Sequence, residues 1–310
     1  MLNIEIITKR LALIKYLYKL GLEQSKQVET LSAFSILFFH DSIEMFLKLI
    51  AEHHNIKSEK LSFLEYWTHL PSLTLMESMR NLNTRRVNIK HKGLLPSKSD
   101  IEISRINTTD FFDQNVIVQL GIDFKNVSLL NLICYDNVRA LLEEAQLALD
   151  KNEIKKSIEK SAVAFNELLH TYEDSKKNYF RDSPFFFGKD IDSSFRMGLG
   201  RDFNGRGDRK MADFVDKVKG SLEGIQNAIK IISFGIDYRR FVKFKLLTPV
   251  ILRSWDEKYV SEIRGNKKWT KENCQYCIDF VLDSSLKLQD FDFDIKELEE
   301  ELNTNIVVRE

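Results

Sequence analysis

Residues 85 to 92 read Arg85-Arg86-Val87-Asn88-Ile89-Lys90-His91-Lys92, and they include two side-chain types suited to work on a phosphodiester. A guanidinium grips phosphate oxygens through paired N–H groups and stabilises charge that develops on them. An imidazole titrates near neutrality, so it both takes and gives protons. Together they could cleave RNA without a metal. His91 would act as general base or acid on the ribose 2′-hydroxyl and the leaving 5′-oxygen, Arg86 would hold the phosphate, and the product would be a 2′,3′-cyclic phosphate. From Ser78 to Ser99 there are six basic residues (Arg80, Arg85, Arg86, Lys90, Lys92, Lys98) and no acidic one, in a chain whose 46 positive and 46 negative residues otherwise cancel. Such a local concentration suits a phosphate-bearing ligand, with Arg80, Lys90, Lys92 and Lys98 as RNA contacts. The same residues also read as a solvated helix end that complements the helix dipole.

The element that must carry these groups is a helix over 72–91. Leu73, Leu75, Met76, Met79 and Leu82 recur at helical spacing, and Gly93 and Pro96 supply the stop. His91 then falls in or beside the last turn. Arg86 and His91 are five apart, about 140° around a helix of 3.6 residues per turn. Both reach one phosphate only if the helix frays or a second subunit helps, which points to a dimeric site. A preceding helix, about 28–54, carries one polar line of His40, Glu44 and Lys48, with Asp41 adjacent, on an otherwise apolar run from Ala33 to Leu47. Glu44 or Asp41 could orient His91, or the line is a surface stripe with a Glu44–Lys48 pair. A metal site there lacks a third ligand at a recognisable spacing, so no metal and no cofactor are expected.

The run Leu82-Asn83-Thr84-Arg85-Arg86-Val87-Asn88-Ile89-Lys90-His91-Lys92-Gly93 resembles the signature of HEPN domains, a helical superfamily in which an Arg, four to six residues and a His close the third major helix. The buried helix with its polar line resembles the family's second helix. The resemblance covers roughly residues 1 to 150. Arg85 is the competing choice to Arg86, because its gap to His91 also fits the family range. The place after the Arg is polar in many members; here it is Val87, with Asn88 one step later as the polar side chain that would assist the pair. The resemblance implies a homodimer of helical bundles whose Arg–His pairs meet across a cleft, and a metal-independent endoribonuclease. Such enzymes commonly serve as toxins or effectors of antiviral defence, with an antitoxin or sensor protein as partner. The rival reading is a non-catalytic HEPN-like module that holds RNA, a nucleotide or a partner protein.

Length and composition bound the rest. At 310 residues the chain is long enough for two domains, and 43% hydrophobic with 30% charged residues is a globular balance. Twelve Gly and four Pro leave few breakers, so the fold should be mostly α: a HEPN-like bundle followed by a second α-rich domain. No apolar run approaches bilayer length, and Glu5, Lys9, Arg10, Lys15 and Lys19 near the start are unlike a signal peptide, so a soluble cytoplasmic protein with no membrane partner is expected. The pattern predicts helices near 3–22, 28–54, 59–69, 72–91, 99–119, 127–149 and 152–179. It places a first domain at 1–180, a Gly/Arg-rich loop or linker at 181–210 and an α-rich accessory domain at 211–310. The linker carries Gly198, Gly200, Gly205 and Gly207 among Arg196, Arg201, Arg206, Arg209 and Lys210, yet lacks a complete dinucleotide or phosphate-loop fingerprint.

In the last third, a helix near 211–234 is followed by Tyr238 to Leu246, which alternates like a strand or ends a helix, and Val250-Ile251-Leu252 is ambiguous. Gly121-Ile122-Asp123 echoes Gly235-Ile236-Asp237, a hint of a second, degenerate bundle. Cys274 and Cys277 at i, i+3 read as packed thiols, because a closed zinc site lacks further ligands. Asp290, Asp292 and Asp294 with Glu301 resemble the charged places of a calcium loop, but Ile295 stands where the turn needs Gly, so an acidic helix entry is the preferred reading.

Overall fold

A computed structural model describes residues 2–70, 72–177, 183–185, 187, 209–253, 259–262, 268–290, 292–298 and 300–301. The protein is mostly helical, and no helix among the described residues is long and apolar enough to cross a membrane. The chain divides into two compact units, Met1–Leu132 and Ile133–Glu310.

The first unit holds α1 (Ile4–Gln24), α2 (Glu29–Ser32), α3 (Ser35–His53), α4 (Tyr66–His69), α5 (Met76–Lys92) and α6 (Lys98–Leu120), then 3-10 turns at Phe124–Asn126 and Leu129–Leu132. Its core is a single apolar cluster. α1 contributes Leu11 and Ile14, α3 contributes Phe39, Ile43 and Phe46, α5 contributes Met79 and Leu82, and α6 contributes Phe111, Phe112 and Val116. Each fully buried side chain of this size contributes about 1.5–3 kcal/mol of transfer free energy. Phe112 stacks on Phe124 with centroids 4.4 Å apart and meets Phe46 edge-on at 5.9 Å, geometries favoured by the ring quadrupoles.

Three expected helices are shorter or broken. The stretch 28–54 is interrupted at Ala33–Phe34, where Phe34, Ile36 and Leu37 donate to carbonyls three residues back, a tighter turn than the α-helix. Helix 59–69 is reduced to α4, because the Glu65 carboxylate accepts the Ser62 backbone N–H at 2.6 Å and holds a local turn instead. The segment 127–149 holds a 3-10 turn at Leu129–Leu132 and becomes α-helical only at Asp136; just before it, the Lys15 ammonium donates to the carbonyls of Lys125 and Val127 at 2.7 and 2.8 Å and ties that strip to α1.

The second unit holds α7 (Asp136–Asp150), α8 (Ile154–Ser175), α9 (Arg209–Ser233), α10 (Tyr238–Leu247), strands β1 (Val250–Arg253) and β2 (Tyr259–Glu262), and α11 (Lys271–Asp290). The strands pair antiparallel, with Val250 opposite Glu262 and Arg253 opposite Tyr259. α7 and α8 pack on each other and both pack on α11. The division between units therefore falls before α7, earlier than the 181–210 boundary that composition suggests. Most of 181–210 lies outside the described residues; Phe185 within it sits 4.9 Å from the Phe234 ring and 6.0 Å from Tyr172. Cys274 and Cys277 are buried, and burial pushes the Cys277 thiol up to about 12, so it stays protonated and unreactive near neutrality. Tyr238 to Leu247 is helix, its first turn capped by Asp237, which accepts the Arg240 N–H at 2.8 Å.

The acidic run near 290 is fully employed. Asp290 pairs with Lys287, Asp292 pairs with the buried Lys176, and Asp294 accepts the N–H groups of Lys296 and Glu297 at a helix entry. The Gly-Ile-Asp echo also has a local cause. Gly121 and Gly235 both end helices at φ +68°, the Ile that follows packs inward, and the Asp accepts a backbone N–H of the next turn.

Gly21 of α1 lies against α3. A Cβ built there would stand 2.7 Å from Phe39 Cε1 and 3.1 Å from Phe38 Cβ. Helix propensity alone would reward Gly21→Ala by about 1 kcal/mol, whereas overpacking a closed core costs about 1–3 kcal/mol. Gly21→Ala should therefore lower the denaturation midpoint in urea; a raised midpoint would show that α1 and α3 have room to part.

Candidate functional site

The basic end of α5 is built from one helix that presents different faces to different neighbours. Met79 and Leu82 are buried and Ile89 packs partly on the same core. Arg86 falls on that stripe, at the 3, 4, 3 spacing of 79, 82, 86 and 89, so its stem runs along the core-facing side. The helix ends where Gly93, at φ +65°, donates its N–H to the Asn88 carbonyl, which Leu94 also reaches at 3.1 Å. His91 lies in the last turn as the spacing predicts, and it is exposed.

The two neighbouring arginines are used differently. Arg85 turns to α6, where its Nε and Nη2 donate to Asp100 Oδ1 at 3.1 and 2.8 Å and its Nη1 donates to Ser104 Oγ at 3.2 Å. Asp100 is also the N3 residue of the α6 capping box with Ser97. Bonds from Ser97 first, and then from Arg85, hold its carboxyl below the usual range. Arg85 is thus a strut that ties α5 to the start of α6. Arg86 instead faces α3. Its Nε is buried and makes no hydrogen bond among the described residues, and its charge acts on Asp41.

On α3, His40 is 2% exposed. Its Nε2–H donates to Asn83 Oδ1 of α5 at 3.1 Å, while Nδ1 lies 3.4 Å from Asp41 Oδ1 and 3.8 Å from Glu44 Oε2. Its ring stacks on Phe63 at 4.3 Å. The hydrogen bond from His40, with the charges of His40, Lys90 and Arg86, holds the Asp41 carboxyl below its usual range. Asn83, Arg86 and Lys90 recur at helical spacing and form the α5 side of this seam. That spacing was available as a signal that the polar line on α3 has a counterpart.

The remaining expected site residues separate. Glu44 pairs with Lys48 at 2.7 Å and faces His40; among the described residues it has no bond to His91. No hydrogen bond or ion pair joins Arg86 to His91 either, in keeping with their angular separation on the helix. Arg80 pairs with Glu77 at 3.2 Å. Lys92 is exposed, Lys98 begins α6, and Asn88 is half-buried with its carbonyl committed to the helix end.

The ligand atoms of His40, Asp41 and Glu44 lie within 4.8 Å of one another, a spacing that would admit a cation. The surrounding charge opposes one. Lys48 already neutralises Glu44, Arg86 and Lys90 act on Asp41, and Nε2 of His40 is spent on Asn83. The carboxylates are better matched to the basic side chains beside them than to a metal. No family model matches the chain, and no match is found among curated proteins or solved structures.

Asp41 supplies a pH prediction. Because its folded value is depressed, its contribution to stability is complete above its unfolded value near 3.8 and is lost as pH falls through the folded value. Urea denaturation should show wild type more stable than Asp41→Asn near neutrality, with the gap closing below pH of about 3.8. A gap that widened on acidification would mean that Asp41 is not held ionised by this seam.

Proposed function

We propose that the first unit is a HEPN-like, metal-independent endoribonuclease whose site is completed by a second copy of the chain. Arg86 binds the scissile phosphate and stabilises its developing charge. His91 moves the protons of the 2′-hydroxyl and the leaving 5′-oxygen. The observation that carries this reading is the state of Arg86: a guanidinium with a buried, unbonded Nε is costly to maintain, and such groups in folded proteins call for an explanation beyond packing. A phosphate oxygen is the partner it suits. Arg85, with three bonds to α6, is already spent. Lys90, Lys92 and Lys98 extend the positive surface for the flanking RNA backbone, and the charge of Asp41 lies within electrostatic reach of Arg86 while His40 and Asn83 join α3 to α5. A cellular role as a toxin or antiviral effector, regulated by an antitoxin or sensor protein, rests on the resemblance to the superfamily.

The non-catalytic reading, in which the same end holds RNA, a nucleotide or a partner protein, is favoured by one observation: no side chain among the described residues orients the His91 imidazole. Incubation of the purified chain with total RNA in EDTA, followed by analysis of fragment ends, separates the two. Wild type should yield 2′,3′-cyclic phosphate ends, Arg86→Ala and His91→Ala should each lose at least about 100-fold in rate, and Arg85→Ala should retain cleavage while unfolding at lower urea. Intact RNA with wild type, when RNA binding is measurable, would establish the binding reading.

A further inference from the structure

In the second unit, α8, α9, α10 and β1 leave between them a cleft of about 500 Å3. Its floor is apolar and largely aromatic: Phe165, Ile231 and Phe244 are each no more than 3% exposed, and Leu169 and Phe241 complete the walls. Phe165 lies 5.0 Å from Phe244 and 5.8 Å from Phe241, with the rings tilted 56° and 33° to one another, so the three form one aromatic cluster. The polar groups are few. The Lys230 ammonium donates to Glu173 at 2.9 Å and brings no net charge. Asn166 spends its amide N–H on the Ala162 carbonyl at 2.9 Å and leaves its oxygen over. Among the described residues Lys245 has no carboxylate partner, and the Asn227 amide has no bond.

A concave, mostly apolar site of this size with a small number of polar groups is the usual form of a small-molecule pocket. The charges narrow the class of ligand. An unpaired ammonium at the rim favours an anion and disfavours a cation. One net positive charge, with the Glu173 carboxylate beside the other lysine, disfavours a polyphosphate. The phenylalanine surface favours a ligand with rings to lay against it. We propose that this cleft binds a small organic monoanion with an apolar, ring-containing body, its carboxylate or sulfonate on Lys245 and its body on Phe165, Phe241 and Phe244. The inference stands apart from the RNA reading, since none of its residues belongs to the α3–α5 seam.

The test is fluorescence titration of the full chain with 8-anilinonaphthalene-1-sulfonate, an aromatic monoanion, beside the neutral probe N-phenyl-1-naphthylamine. Wild type should bind one equivalent of the anion saturably and more tightly than the neutral probe. Lys245→Glu should weaken the anion at least about tenfold with little effect on the neutral probe. Leu169→Trp, which fills the cleft, should abolish binding of both while the far-ultraviolet circular dichroism of each variant matches wild type. Should Leu169→Trp fail to fold, a change from Leu169 to Phe with a graded loss serves the same purpose. Binding that does not saturate, that is equally tight for the neutral probe, or that is untouched by Lys245→Glu would overturn the proposal.

Discussion

The first unit is organised around a guanidinium set into the apolar stripe of a helix. Arg86 occupies a position that Met79, Leu82 and Ile89 mark as core-facing, and a charge held there must be matched or solvated. The protein meets this with an ionised Asp41 on α3, itself held by the buried His40, which in turn bonds Asn83 on the same face of α5 as Arg86. The consequence is a polar seam between two helices whose other contacts are apolar. It leaves the buried Nε of Arg86 without a hydrogen bond among the described residues.

The neighbouring arginine shows how position on a helix separates identical chemistry. One residue is about 100° of rotation at 3.6 residues per turn, enough to carry Arg85 out of the α3 seam and onto α6. There it bonds the same carboxylate that caps the α6 N-terminus. A single aspartate thus fixes both the start of α6 and the flank of α5, which sets the direction in which the basic end of α5 points. The two arginines are not redundant, and a substitution at one does not report on the other.

Much of this was legible in the sequence because it depends on local spacing. The α5 helix, its stop at Gly93, the exposed His91 in its last turn and the polar line on α3 all follow from periods and caps that a few adjacent residues specify. The division of labour between Arg85 and Arg86 was not, since it requires knowing that Asp100 folds back from the following helix. One of the shortened helices has the same origin: in the stretch 127–149, Lys15 captures carbonyls at Lys125 and Val127 far along the chain, a tertiary bond that competes with a convincing apolar period. The limits of the units were hidden for a related reason. α7 and α8 carry core-facing stripes like those of any bundle helix, and only their packing on α11 assigns them to the second unit. The acidic run near 290 and the repeated Gly-Ile-Asp, which invite a calcium site or a duplication, are instead accounted for by ion pairs and helix ends.

In the proposed nuclease Arg86, and not Arg85, meets the RNA phosphate. The most direct measurement is a titration of the arginine Nε–Hε signals in proton–nitrogen correlation spectra with a short RNA bearing a 2′-deoxy sugar at each position, so that nothing is cleaved. The Arg86 signal should shift far and saturably, with Arg85 near its starting position in its bonds to Asp100 and Ser104. A shift of Arg85 with Arg86 unmoved would contradict this assignment.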